Sequence, residues 1–352
     1  MKIKHNILLG LPPHDFNLHH PLHTKFGIFF HIKKGGKYDN TFESIFDWLK
    51  SEDISNLSST KEFLKFLNSL KLENEHEINL AIFTKREFIS KKEICDILLI
   101  IKEFNNKKNI TINLKTDINK FETFYSKLDF YSFCKDLDFE DLVPKFEKFS
   151  YKTLDLIKFP FLIRNATSSG GKDTYLIKNK ITFYFMYFHM LLKTKLKILD
   201  KSNLFIQEFI DTKIKFGYYR SYRVLAFNKK PYFIYPNISK TNPITHVSEK
   251  DKLSKEEFLE SVRFGIDLFN QNKDQLEKIF DELGNPFSAL DLVSLDSKKI
   301  FVTEAELKYG PSEKYIDNQI KYFELDKSFF NYIRDELKTN HLSFNDIKNI
   351  FE

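Results

Sequence analysis

A strand-helix-strand pattern in the first third of the chain narrows the fold more than any other feature. INLAIF (78–83) and ITINL (110–114) are short apolar runs, and between them Ile94, Ile97, Leu98 and Ile101 repeat at helical spacing. That spacing puts the four side chains on one stripe suited to lying on a sheet. A helix that joins neighbouring strands in this way crosses over right-handedly and leaves them parallel. HNILLGL (5–11) and KFGIFFHI (25–32) read as further buried strands. Asn40 with Glu43, Ser59 with Glu62 and Ser90 with Glu93 each place a capping residue three positions before a Glu, marking helix starts. An α/β layer domain is expected here. The region has no Gly-rich dinucleotide fingerprint, which argues against a Rossmann-type cofactor site.

From about residue 120 the pattern changes. A helix is predicted around KLDFYSFCKDL (127–137), then Pro144, then strands FLIRN (161–165) and TYLIK (174–178), then a helix over roughly 181–195. Strands follow at LFIQEF, SYRVLAF and KPYFIYP, helices begin near Ser254 and Lys273, and two more strands are FSALDLVSL and KIFVTEAEL. The tail from Glu313 is helical in period. With 352 residues, two or three packed units are expected, and no repeat or low-complexity linker separates them.

Composition excludes more than it selects. The 55 basic and 49 acidic residues are interspersed, so the net charge of +6 marks no nucleic-acid arm. Cys95 and Cys134 are too few for a disulfide framework, and a reducing cytoplasm fits them best. The apolar run before Pro12 and Pro13 is too short for a signal-peptide core or a membrane span, so no membrane partner is expected.

The chemistry centres on FPFLIRNATSSGGKDTYLIKN (159–179), a small-residue loop between two strands. It is not a P-loop, because Ala166 stands where the first Gly is required and Asp173 follows Lys172. Two readings remain open. In one, Gly170 and Gly171 supply positive φ for a hairpin turn. In the other, the backbone N–H groups and the hydroxyls of Thr167, Ser168 and Ser169 close over phosphate oxygens as an anion nest. Arg164 ends an otherwise apolar strand, and a charge in that position requires a partner. Downstream, Glu304 and Glu306 stand at i and i+2 on one strand and so share a face, onto which Asp291 of the neighbouring strand converges. Three carboxylates on one face suit a hard cation such as Mg²⁺. The ordinary alternative is the solvent face of a strand carrying acids.

The order and spacing of Arg164, the glycine loop, QEFID, Arg223, Asp291, Glu304 and Glu306 resemble the ATP-grasp superfamily over roughly residues 121–320. The resemblance implies an α+β nucleotide domain of two subdomains, 121–200 and 201–352, preceded by the α/β domain of residues 1–120. It implies Lys127 as the basic residue opening the nucleotide domain, with Lys145 and Lys148 as alternative matches, and Arg164 on the α- and β-phosphates. Thr167, Ser168, Ser169, Gly170, Gly171 and Lys172 form the phosphate loop; Gln207, Glu208, Phe209 and Ile210 the adenine connection; Asp211 a ribose contact. Arg223 faces the transferred phosphate, Lys308 is a weaker match for the acyl phosphate, and Asp291, Glu304 and Glu306 bind Mg²⁺. Three departures stand out: Glu306 where Asn is usual, Asn165 where Pro is frequent, and a longer stretch around 236–255.

By the same resemblance the chain uses ATP and Mg²⁺ to activate a small-molecule carboxylate as an acyl phosphate and join it to an amine. The alternatives are a small-molecule kinase on the same fold and a non-enzymatic basic binding protein. His14, His19, His20 and His23 are clustered, but Pro21 breaks helical ligand geometry, so they are assigned to the acceptor side of the cleft by architecture alone. The oligomeric state is left open.

Overall fold

The computed structural model describes residues 2–11, 32–34, 37–39, 54–57, 59–84, 91–107, 109–155, 157–168, 173–243, 254–307 and 350. The strand KFGIFFHI up to residue 31, the caps at Asn40 and Ser90, the histidine cluster, Ser169–Lys172, Lys308 and the tail from Glu313 to residue 349 lie outside them.

The amino-terminal layer is a parallel sheet in the order β4-β1-β5-β6, built from β1 (Lys2–Leu11), β4 (Ile54–Leu57), β5 (Glu75–Thr84) and β6 (Ile110–Leu114). The short strands β2 (Ile32–Lys34) and β3 (Lys37–Asp39) pair with each other. Helix α1 (Thr60–Ser69) starts where its cap motif predicts, the Ser59 hydroxyl accepting from the Glu62 N–H at 3.1 Å. Helix α2 (Lys91–Asn105) crosses from β5 to the parallel β6, and its Ile94, Ile97 and Ile101 are buried against the sheet.

Helices α3 (Phe121–Tyr125) and α4 (Lys127–Asp136) lead into an antiparallel sheet, β7-β10-β8-β9, of β7 (Phe146–Lys148), β8 (Phe161–Asn165), β9 (Thr174–Ile177) and β10 (Leu204–Glu208). Helix α5 (Lys180–Lys195) packs on it through Phe183 and Met190. A short helix α6 (Lys213–Phe216) precedes a second antiparallel sheet, β12-β11-β13-β14. Its strands are β11 (Tyr219–Phe227), β12 (Lys230–Ser239), β13 (Phe287–Val293) and β14 (Phe301–Glu306).

Two helices were expected near Ser254 and Lys273, but the structure has one, α7 (Lys255–Leu283, 29 residues). Its start is the predicted one: Ser254 Oγ accepts from Glu257 N and Glu257 Oε2 accepts from Ser254 N, a closed capping box. No Pro interrupts the segment, so nothing forces the second start, and the helix runs on to Gly284 at φ 65°. Gly265 does not break it either, because its missing side chain makes room for Tyr222. A Cβ there would lie 2.8 Å from the Tyr222 ring. Gly265→Ala is expected to cost about 1–3 kcal/mol by overpacking. Chemical denaturation measures it, and an unchanged midpoint would contradict this contact.

Candidate functional site

The two antiparallel sheets face each other across an open cleft of about 840 Å³ including its mouth. Arg164, Gln207, Phe209 and Ile210 line one side, and Arg223, Asp291, Glu304 and Glu306 the other.

Strand register creates the acidic side. Arg223, Asp291 and Glu304 are successive Cα partners across β11, β13 and β14, and Glu306 follows two positions after Glu304 on the same face. Oxygens of Asp291, Glu304 and Glu306 therefore lie within 4.8 Å of one another, as their spacing predicts. Oxygen donors at that separation fit a hard divalent cation.

Each carboxylate has a cationic neighbour. Arg223 donates Nε and Nη2 to both Asp291 oxygens at 2.6 Å, and its Nη1 lies 3.1 Å from Glu306 Oε2. Burial works against the Arg223 charge, but Asp291 and Glu306 outweigh it and hold the guanidinium protonated well above the ordinary arginine range. Burial also pushes the Asp291 carboxyl up, opposed by Arg223. Glu306 is thus matched by the third guanidinium nitrogen, which accommodates the carboxylate that stands where Asn was expected. Lys127, 2% exposed, sits 3.1 Å from Glu304 Oε1 and donates to Ser168 O at 2.6 Å. Lys145 and Lys148, the alternative matches, are exposed.

Arg164 is different. Among the described residues it has no carboxylate partner, its Nη1 donates to the Gln207 side-chain oxygen at 2.8 Å, and its buried Nε has no partner. The lone arginine at the end of an apolar strand was legible in the sequence; its partner, an amide, was not. Among the described residues the pairing of β8 and β9 ends at Arg164 and Thr174, beyond which Asn165 N still donates to Asp173 O at 3.2 Å. Asn165, noted in the sequence only as a departure, holds the described part of this loop. Its Oδ1 accepts from Thr167 N at 3.1 Å and Thr167 Oγ1 at 3.0 Å, and its backbone carbonyl accepts from Ser168 Oγ at 2.9 Å.

Other expected contacts take different partners. Gln207, assigned to adenine, turns its amide oxygen to Arg164 and Tyr131. Asp211 accepts from Lys213 N at 3.0 Å, a local turn, and is absent from the cleft wall. Glu208 bonds Lys145 N at 3.3 Å. Two residues the sequence reading passed over belong to this region. Tyr131, fully buried, carries its hydroxyl to Gln207 and Thr303, two residues of the cleft wall, from a helix that reads as core. Arg220, 1% exposed, stacks its guanidinium 3.0 Å from the Phe216 ring centre and 3.7 Å from that of Phe264.

No family model and no curated protein matches the sequence. Solved structures match over nearly the whole chain. The D-alanine–D-alanine ligase of Bacillus anthracis complexed with ATP is 10% identical, aligned over 99% of this chain and 98% of its own, with a TM-score of 0.51. The RimK domain protein ATP-grasp of Sphaerobacter thermophilus is 9% identical over 94% and 99%, with a TM-score of 0.47. The chain has the ATP-grasp fold, an α+β architecture. No helix among the described residues is long and apolar enough to cross a membrane.

Proposed function

We propose that the protein is an ATP- and Mg²⁺-dependent ligase that joins a carboxylate to an amine. The observation that carries this reading is Arg164: among the described cations at the cleft, Lys127 and Arg223 are matched by carboxylates and Arg220 is stacked on Phe216 and Phe264, whereas Arg164 lines the cleft with an amide and no carboxylate beside it. Its charge is available for phosphate oxygens, opposite three converging carboxylates. The fold is one on which such ligases are built, as the Bacillus anthracis structure illustrates.

Asp291, Glu304 and Glu306 would hold Mg²⁺, which when bound supplies Lewis-acid neutralisation of phosphate charge. Arg164 binds and orients the polyphosphate. Lys127 fixes Glu304 and, through Ser168 O, the base of the phosphate loop. Arg223 holds Asp291 and Glu306 in place by pairing with both, and would offset the charge that builds on the transferred phosphoryl group. The substrate carboxylate takes the γ-phosphoryl with loss of ADP; the amine then displaces phosphate and releases a proton. Positioning and electrostatics supply most of the acceleration in such transfers.

ATP with Mg²⁺ at about 100 times its dissociation constant is expected to stabilise the protein by ~2.7 kcal/mol, read as a rise in melting temperature. Turnover with candidate acids and amines then releases ADP and free phosphate only when both are present. Phosphate retained on a single substrate would make the protein a kinase, and no thermal shift with any nucleotide would overturn the reading.

A further inference from the structure

We propose that Gln207 and Tyr131 are positioning residues that aim Arg164 at the nucleotide while leaving its charge unspent, a proposal that rests on reading the cleft as a nucleotide site. Gln207 is 2% exposed, and its Oε1 accepts from Arg164 Nη1 at 2.8 Å and from the Tyr131 hydroxyl at 3.0 Å. Arg164 on β8 pairs with Phe205 on β10, so Gln207, two residues on, is its diagonal neighbour on the same sheet face. The choice of an amide has an electrostatic consequence. A carboxylate in this position would neutralise the guanidinium, as Asp291 does for Arg223. An amide oxygen orients it without doing so.

Tyr131 links this arrangement to the acidic strand. Its hydroxyl also lies 2.9 Å from Thr303 O, so its one proton is shared between that carbonyl and the Gln207 oxygen. Thr303 falls in the register shift between the pairs Asp291/Glu304 and Leu292/Val302, a bulge that leaves its carbonyl out of the regular ladder. One fully buried hydroxyl therefore spans from the holder of Arg164 to the backbone beside Glu304. Burial pushes Tyr131 ionisation far above its usual range, so it remains a neutral donor. Tyr131 thus ties the sheet carrying the phosphate arginine to the sheet carrying the carboxylates, beside the link that Lys127 makes between Glu304 and Ser168 O.

The test compares Gln207→Glu, Gln207→Met and Tyr131→Phe with the wild type. ATP·Mg²⁺ affinity is read by calorimetry, kcat and KM by ADP release, and stability by melting. Gln207→Glu keeps the shape of the side chain but pairs the Arg164 charge. It is expected to weaken ATP binding on the order of tenfold or more while the melting temperature holds or rises. Gln207→Met changes the shape but frees the charge, and is expected to lose less than about fivefold. Tyr131→Phe is expected to lower kcat about tenfold with KM for ATP nearly unchanged, because it loosens the spacing rather than the contact. A purely packing role predicts the opposite order, with Met worse than Glu, and would overturn the proposal. So would wild-type affinity in Gln207→Glu. A wild type that binds no nucleotide overturns the ligase reading itself, an outcome distinct from the variants behaving alike on a protein that does bind it.

Discussion

Arg164→Met is expected to weaken ATP binding about 10- to 100-fold, the loss of one charged hydrogen-bonding group of about 1.5–3 kcal/mol. Methionine keeps much of the apolar length of arginine while removing the charge. Little stability should go with it, because Arg164 has no ion pair to break among the described residues and its Nε is already buried without a partner. Gln207 keeps its second contact, to Tyr131. Calorimetric titration with ATP·Mg²⁺ and a melting curve check both halves. Wild-type affinity would reduce the loop after Arg164 to a connection and remove the main support for a nucleotide site.

Glu304→Gln is expected to reduce Mg²⁺-dependent turnover on the order of 10²–10³-fold, from the several kcal/mol that a properly held metal contributes to phosphoryl transfer. This residue also tests whether site and fold are separable. Glu304 neutralises Lys127, whose side chain is 2% exposed, and removing one partner of a buried pair strands the other charge. Glutamine still offers an oxygen to Lys127 Nζ, so the expected cost is about 1–3 kcal/mol, a melting temperature lowered without loss of the cooperative transition. Single-turnover ADP release separates the two effects. Normal turnover in a destabilised variant would mean that the three carboxylates serve the fold and not a metal.

The parts of this protein legible in its sequence are those that depend on neighbours along the chain. The stripe of Ile94, Ile97 and Ile101, the capping pair at Ser59, the helix start near Ser254 and the same-face spacing of Glu304 and Glu306 depend on local periods and caps, and each stands as expected. The expected break in α7 failed because helix-start signals are local preferences, and a long helix packed on a sheet overrides one of them. What the sequence could not determine is which distant groups share a proton or a charge. The guanidinium of Arg223 meets Asp291 across 68 positions, and Tyr131 reaches Thr303 across 172. Those pairings depend on strand register and on a single bulge at Thr303, which are decided when whole sheets pack. Arg164 and Gln207 were both identified as residues of the site from sequence, but only the tertiary structure turned one toward the other. Residue type declares that a buried arginine needs an acceptor, whereas the choice between an amide and a carboxylate belongs to the strand that folds beside it.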